Sequence, residues 1–313
     1  MTALGLTEDL LKRCTFPTPG APACAAVSGG ADSLALLVLA VAAGCRLTAV
    51  HIDHGLRAGS ADEADVVRRA AERFGAGFRA ERVRVEPGPN LEARARLARR
   101  GALPERSMTG HTADDQAETV LLNLSRGAGL DGLTAMRPGE TKPILSLRRT
   151  ETRALCAELG LDPIDDPSNR DMAFTRNRVR HEVLPLLGDV VGRDVAALTS
   201  RTASLLRDDA AYLSLLAEQI DPTDAKALAA APLPLGRRAV RRWLTTDLPP
   251  YPPDAAVVER VLAVAHGLAR ATEVGGGRRV RRAQGRLRLE SSRAGSSRVE
   301  PSRVEQVGEP LLP

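Results

Sequence analysis

The sequence predicts an α/β protein in which a mostly parallel sheet with helices on both faces is followed by a small helical domain. Apolar runs of strand length alternate with runs of helix length through the first half of the chain. From Arg193 onward the patterns are helical, and the proline-rich stretch 247–253 (DLPPYPP) is a rigid connector between two of the helices. With 313 residues, the chain is long enough for two ordinary domains.

The first half contains three predicted strands, which are short apolar runs: Ala23–Val27, Arg46–Asp53 and Phe78–Val85. Four predicted helices separate or follow them: Ser33–Ala43, Ser60–Phe74, Asn90–Arg100 and Thr112–Leu124. Gly44 and Gly75 are typical stop signals for the first two helices, and SADE at Ser60–Glu63 is a capping box. Strands joined by helices in this way lie parallel, and ligands of such sheets bind at the carboxyl ends of the strands.

The second half is predicted to be helical over three segments: Arg193–Gln219, Gly236–Thr246 and Asp254–Arg270. The stretch Gly275–Leu289 (GGGRRVRRAQGRLRL) predicts a basic hairpin, and the Ser-, Arg-, Pro- and Glu-rich residues after Glu290 predict a disordered tail. We therefore expect three parts, covering residues 1–187, 188–272 and 273–313.

Charge and composition narrow the function. The net charge of +5 indicates a polyanionic partner, although a solvated arginine-rich face would give the same value. Four cysteines form no CxxC pair, so we expect reduced, buried thiols and no zinc site. The longest apolar run, Leu34–Ala43, is too short to span a bilayer, and no signal peptide is recognisable. We expect a cytoplasmic protein without a membrane partner.

The stretch VSGGADS lies between the first predicted strand and the first predicted helix. Its two glycines permit a sharp turn with outward-facing amides, and the following helix presents its positive end to the same place. A carboxylate at Asp32 would repel phosphate unless a Mg²⁺ ion lies between them. An ordinary strand-to-helix turn is the alternative. The residues predicted to hold a pyrophosphate are Ser28, Gly29, Gly30, Ala31, Asp32 and Ser33, with Asp32 as the metal ligand.

The stretch TGHTADDQAET at residues 109–119 contains His111, Asp115 and Glu118 at spacings of four and three. On a helix these three side chains share one face. Such a stripe is costly unless it binds a cation, an amine or a metal ion. The alternative is a solvated helix start with acidic residues in its first turn, and we assign that solvated role to Asp114.

Two further blocks carry polar residues. HIDHGLR, at residues 51–57, ends the second predicted strand, and its Asp53 is a candidate for contact with the nucleoside of a bound nucleotide, although a plain polar loop is the alternative. DDPSN, which ends at Asn169, precedes RNRVR at Arg176–Arg180. Asn169 and these arginines are candidates for binding the phosphates of ATP or of an RNA backbone.

Together these blocks resemble the tRNA(Ile)-lysidine synthetases, a branch of the PP-loop ATP pyrophosphatases. The resemblance is dense from Ala23 to about Leu187 and loose beyond it. It implies a PP-loop (adenine nucleotide alpha hydrolase-like) catalytic domain over 1–187 and a tRNA-binding role for 188–272. The matching stretches are SGGADS, HIDHGLR, NLEARAR (Asn90–Arg96), TGHTADDQAET, RGAGLDGL (Arg126–Leu133), DDPSN with RNRVR, and LPLL.

The resemblance also implies a ligase reaction. Members use ATP to adenylate the C2 oxygen of the wobble cytidine in tRNA(Ile) with a CAU anticodon, and a lysine amine then displaces AMP to form lysidine. Codon reading changes from AUG to AUA. In this chain Asp115 and Glu118 are expected to face the lysine ammonium, His111 the α-phosphate, and Arg96 or Arg99 the developing negative charge. ATP, Mg²⁺, L-lysine and tRNA(Ile) are the expected ligands, and a homodimer is the expected assembly.

The sequence departs from the family pattern in two places. Arg99-Arg100 stands where an Arg-Tyr pair is usual, and the segment before His111 is short, with PERSMTGH in place of a clear apolar strand.

Two alternative functions remain. The first is a tRNA thiolation enzyme of the same superfamily, but the chain has no CxxC pair. The second alternative is a degenerate protein that binds RNA or a nucleotide without catalysis. The set of Asp32, His111, Asp115 and Glu118 argues against it.

Overall fold

The structure, a computed structural model, describes residues 3–53, 60–83, 101–247 and 253–291. Its first half contains a four-stranded sheet of β1 (Pro22–Ala26), β2 (Arg46–Asp53), β3 (Gly77–Arg82) and β4 (Met108–Thr109). The helices described in this part are α1 (Ala3–Leu11), α2 (Ala31–Ala42), α3 (Ser60–Phe74), α4 (Ala113–Ser125), α5 (Leu130–Leu133), α6 (Arg149–Glu158), α7 (Thr175–Arg178) and α8 (Leu184–Val191).

The sheet has the strand order β3-β2-β1-β4, and each pair of neighbours is parallel. Helix α2 is apolar on nearly all sides, so it is buried between the sheet and helices α3 and α6, where Leu34, Leu36 and Leu39 belong to the main core. The carboxyl ends of β1 and β4 are neighbours. The turn after β1 therefore lies beside the segment that follows β4.

The predicted parallel sheet is confirmed, and β2 has the predicted bounds. Helix α2 begins at Ala31 instead of Ser33, because Gly30 is its N-cap residue. The strand β3 covers only Gly77–Arg82, and the end of the predicted strand lies outside the described residues. The same holds for the predicted helix Asn90–Arg100 and for residues 54–57 of HIDHGLR.

The second half combines helices with a second sheet. Helix α9 (Val195–Glu218) is followed by α10 (Ala225–Ala230), α11 (Leu233–Asp247) and α12 (Ala255–Ala265). The strands β5 (Ala271–Gly275), β6 (Arg278–Ala283) and β7 (Arg286–Ser291) form an antiparallel sheet in that order. The predicted basic hairpin corresponds to β6 and β7. The strand β5 was not predicted, and α12 ends before the predicted Arg270, because Gly267, whose φ is +80°, stops it.

Two compact units divide the chain, Met1–Asp208 and Asp209–Pro313, so the division falls within α9. The second unit has its own core, to which α11, α12 and the sheet contribute Val240, Val261 and Val280. The three-part division at residues 187 and 272 stays a prediction, which limited proteolysis tests. Within the described residues, the longest apolar helices fall short of what a membrane crossing requires.

Candidate active site

The glycine turn after β1 is a cradle built from backbone. Gly29 has φ of +89°, a conformation that other residues rarely adopt, and a Cβ atom there would collide with Ile164. Ser33 holds the turn from inside, because its hydroxyl donates to the Gly30 carbonyl over 2.8 Å and accepts from the Ser28 amide over 3.2 Å. Among the described residues, none accepts a hydrogen bond from the amides of residues 29–32. These free amides suit an anion.

A second glycine brings another segment against this turn. A Cβ atom on Gly110 would lie 2.8 Å from the Asp32 carbonyl oxygen and 3.0 Å from the Ser33 amide nitrogen. Only glycine allows the segment after β4 to approach the start of α2 so closely. The approach places His111 next to the turn, and the Thr109 hydroxyl lies 2.8 Å from His111 Nδ1.

His111 is not on the helix, which corrects the sequence prediction. Helix α4 begins at Ala113 with Thr112 as its N-cap residue, so His111 precedes it. The other two residues of the predicted stripe are on α4 and are buried: Asp115 is 8% exposed and Glu118 is 0% exposed. Asp115 Oδ2 accepts from the Thr112 amide over 2.9 Å, which fixes this carboxylate at the start of the helix.

Asp115 and Glu118 are surrounded by three arginines. Asp115 Oδ1 lies 3.1 Å from Nη2 of both Arg149 and Arg176. Glu118 accepts at 2.7 Å from Nε of Arg176 and at 2.7 Å from Nε of Arg180. The pair is therefore not an open acidic pocket in this arrangement. It is the centre of a buried ion cluster, in which each charge is offset by a partner.

Arg149, which was not among the predicted site residues, connects this cluster to the glycine turn. Its guanidinium lies 3.1 Å from Asp115, 3.2 Å from Glu118 and 3.5 Å from Asp32. The next turn of α6 contributes Thr152, whose hydroxyl donates to the Asp32 carboxylate. The only local signal was a basic pair, Arg148-Arg149, at the start of a helix, where a cation is unfavourable without an acidic partner.

The carboxylates of the site differ in their protonation. Burial raises the pKa of Asp32, although Thr152 and Arg149 act in the opposite direction. Burial also opposes the ionisation of Asp115, but Arg149, Arg176 and the Thr112 amide outweigh it and hold the pKa of Asp115 below its ordinary value. Asp115 is thus held as an anion, whereas Asp32 binds a proton more readily than an exposed aspartate does.

Asp114 is not the solvated residue that the sequence suggested. Its two oxygens accept from Arg148 over 2.9 and 3.0 Å, and one of them also accepts from the Arg149 amide over 2.8 Å. Burial disfavours the charge, yet the hydrogen bonds from Arg148 and from that amide hold the pKa of Asp114 below its ordinary value. Asp114 thereby anchors the start of α6, and with it Arg149.

The arginines of the basic stretch RNRVR point in two directions, to the buried carboxylates and to the surface. Arg176 and Arg180 turn to the buried carboxylates, while Arg178 pairs with Glu182 at the surface. Asn177 is buried and donates to the carbonyls of Ser168 and Asp171, which ties the DDPSN turn to this stretch. Asn169 contributes its own carbonyl oxygen, which lies 3.0 Å from His181 Nε2.

The remaining predicted residues lie at the end of β2 or outside the described chain. Asp53 is half-buried and lies 3.8 Å from Arg82. His51 is buried, and its Nδ1 donates to the Val27 carbonyl over 3.0 Å, which leaves Nε2 without a partner among the described residues. Arg96 and Arg99 are not among the described residues, so their predicted role is not tested.

The fold and the cradle define a class of protein. Residues 7–187 match a family model described as a PP-loop domain. In the U34-tRNA thiolase NcsA from Methanococcus maripaludis, solved with its [4Fe-4S] cluster, the fold is similar, with a TM-score of 0.53 over 66% of this chain and 80% of that chain at 16% identity. The chain is therefore an ATP-using protein of the PP-loop class, as the motifs predicted.

Curated relatives narrow the class further. A tRNA(Ile)-lysidine synthase from Nocardia farcinica is 47% identical over 75% of this chain and 80% of its own length. A tRNA(Ile)-lysidine synthase from Mycobacterium leprae is 44% identical over 71% of this chain and 74% of its own length. The chain belongs to the tRNA(Ile)-lysidine synthase family. The resemblance drawn from the motifs is confirmed.

The likeness to the thiolase extends to the fold alone. The four cysteines of this chain are unpaired, and no group of three or more potential metal ligands occurs within the described residues. Burial raises the pKa of the Cys14 thiol to about 12 and that of the Cys156 thiol to about 11. Because the thiolate is the nucleophile in sulfur chemistry, these thiols are unsuited to carrying sulfur.

Proposed function

We propose that this chain attaches L-lysine to the wobble cytidine of tRNA(Ile) with a CAU anticodon, using Mg²⁺ and ATP at the turn of residues 28–33. The coarser part follows from family membership: the chain is a lysidine-forming ligase that uses ATP and tRNA(Ile) as substrates. The single observation that supports the residue assignment is Arg149, whose guanidinium contacts Asp32 of the turn and both carboxylates of the buried cluster.

The turn offers what a triphosphate needs. Free amides at the start of α2 face an anion without any Cβ atom in the way, and we propose the Ser28 hydroxyl as a further donor, while the Ser33 hydroxyl holds the turn through the Gly30 carbonyl. Asp32 is the one acidic residue of the stretch 28–33, and one carboxylate with substrate phosphates is a usual way to hold Mg²⁺. When bound, Mg²⁺ neutralises charge that develops on the phosphates. The Asp53 side chain remains the candidate for the nucleoside.

The ion cluster indicates how the amine is admitted. Three arginines balance the carboxylates of Asp32, Asp115 and Glu118, so a lysine ammonium can bind only when a guanidinium moves away. The phosphates of ATP and tRNA are the anions that would draw Arg176 and Arg180 from this cluster. His111, between the turn and the cluster, would then donate to the α-phosphate, and Arg96 is proposed to face the same group.

A cleft of about 220 Å³ lies beside the cluster and suits a small zwitterion. Its wall carries charges of both signs, among them Arg148 and Asp194, which pair with each other and would have to separate to meet the carboxylate and ammonium of an amino acid. Leu184 and Val195 supply apolar surface for a methylene chain. We therefore propose this cleft for the lysine. Since Arg180 of its wall lies 3.5 Å from Asp115, the lysine ε-amine would take the place of that guanidinium at Asp115.

The test is lysine attachment to RNA. The protein is incubated with a tRNA(Ile) transcript, ATP, Mg²⁺ and labelled lysine, and the label on RNA is measured together with AMP. We expect equal amounts of AMP and attached lysine in the wild type. Asp115→Asn should lose lysine attachment more than ATP binding, and the exposed Asp189→Asn is the control. Release of AMP that depends on lysine but not on tRNA, or equal losses in both variants, would contradict the proposal.

Two expectations concern the setting of the reaction. A tRNA substrate implies that the chain acts in the cytoplasm. Assembly as a homodimer is measured by sedimentation or light scattering of the full chain, with and without tRNA.

A further inference from the structure

The sheet of the second unit carries most of the net charge of the chain. Six arginines and two glutamates lie between Ala271 and Ser291, against a net charge of +5 for all residues. The register divides them between two faces. Val280 and Leu287 face the core beneath α12, while Arg279, Arg281 and their cross-strand partners share the opposite face.

One pair on that outer face consists of two like charges. Arg281 of β6 is directly opposite Arg288 of β7, and both are exposed. Among the described residues neither guanidinium has an acidic partner. The third strand places Ala271 opposite Arg281, and this small side chain leaves the row uncovered. Like charges directly opposite each other destabilise a sheet, so the pair is unfavourable unless an anion lies over it.

The other two arginines of this face, Arg279 and Arg286, each have an acidic partner, unlike Arg281 and Arg288. Arg279 lies 3.3 Å from Glu290, its cross-strand partner, and Arg286 lies 2.8 Å from Asp221. The charge left free on this face is therefore concentrated on Arg281 and Arg288.

We propose that Arg281 and Arg288 together bind a phosphate of the tRNA backbone. Two guanidinium groups on adjacent strands present parallel N–H donors, which match phosphate oxygens. The stretch 271–291 contains no aromatic residue, so it offers no platform for stacking a base. The contact adds affinity and carries no sequence information. This inference rests on the proposed function, which supplies RNA as the polyanion.

The test compares RNA binding by matched variants of the full chain. Binding of a tRNA(Ile) transcript and of an unrelated tRNA is measured by fluorescence anisotropy across a range of salt concentrations. For Arg281→Gln/Arg288→Gln we expect about tenfold weaker binding to both RNAs and a salt slope smaller by about one. Arg279→Gln/Glu290→Gln removes a pair from the same face at unchanged net charge, and it should bind like the wild type.

Three results would overturn the proposal. The first is unchanged binding in Arg281→Gln/Arg288→Gln, and the second is an equal loss in the control. The third is wild-type binding to anionic phospholipid vesicles with no binding to RNA. Thermal unfolding tests whether weaker binding results from a damaged fold. Removing the like charges should leave the unfolding midpoint of Arg281→Gln/Arg288→Gln unchanged or raise it. A wild type that binds tRNA through this pair but attaches no lysine would refute the proposed function and leave this inference standing.

Discussion

Replacing Glu118 by glutamine tests whether the buried ion cluster holds the first unit together. Glu118 is fully buried, and its two oxygens meet Arg149 at 3.2 Å, Arg176 at 2.7 Å and Arg180 at 2.7 Å. Removing one partner from a buried ion pair costs about 3–5 kcal/mol, because the other charge is left uncompensated. Glutamine keeps one acceptor and Asp115 remains, so we expect about 3 kcal/mol, which lowers the midpoint by roughly 6–12 °C.

The assay is thermal and urea unfolding followed by far-ultraviolet circular dichroism. The single tryptophan, Trp243, lies in the second unit, so its fluorescence follows that unit separately. The matched control is Glu72→Gln, which removes an exposed carboxylate 3.3 Å from Arg68 and should cost less than about 0.5 kcal/mol. If Glu118→Gln were no less stable than Glu72→Gln, the cluster would not contribute as argued.

Three further predictions concern the same unit. Gly110→Ala should lower stability by about 1–3 kcal/mol in urea titrations and weaken ATP binding, because its Cβ atom would press on the Asp32 backbone; wild-type values for both would refute the close approach. Folding lowers the pKa of Asp114, so its charge stabilises the protein above the ordinary pKa, and this stabilisation is lost as the pH falls through the lowered pKa. The free energy of unfolding of Asp114→Asn should therefore fall less than that of the wild type between about pH 5 and 2, as measured by urea unfolding. Lysine should bind at least about fivefold more tightly in calorimetry once ATP and tRNA are present, and an affinity indifferent to both would contradict the release of Arg176 and Arg180.

The sequence alone was sufficient to predict the structural features that depend on residues close together in the chain. The glycine turn, the strand β2 and the ends of α2 and α3 follow from short signals such as Gly44 and Gly75, whose positive φ angles stop the helices. Parallel order followed from alternation of strands and helices. The motif blocks were sufficient for the family because they combine residue types that few proteins place at those spacings.

The partners of the charged residues could not be predicted in the same way. Arg149 and Arg176 reach Asp115 from segments 34 and 61 positions away along the chain, and no local pattern specifies such a pairing. From the sequence alone, the acidic residues of TGHTADDQAET were predicted to be free for a ligand or solvated, because the arginines that neutralise them are distant in the chain. His111 was placed on the helix because a period alone does not show that Thr112 is the cap.

The central claim is that the turn of residues 28–33 binds a triphosphate with Mg²⁺ at Asp32, and titration of ATP tests it most directly. Binding is measured by calorimetry for the wild type and for Asp32→Asn, once with Mg²⁺ and once with EDTA. The account predicts that Mg²⁺ strengthens ATP binding in the wild type and has little effect in the variant. The same dependence on Mg²⁺ in both proteins would contradict it.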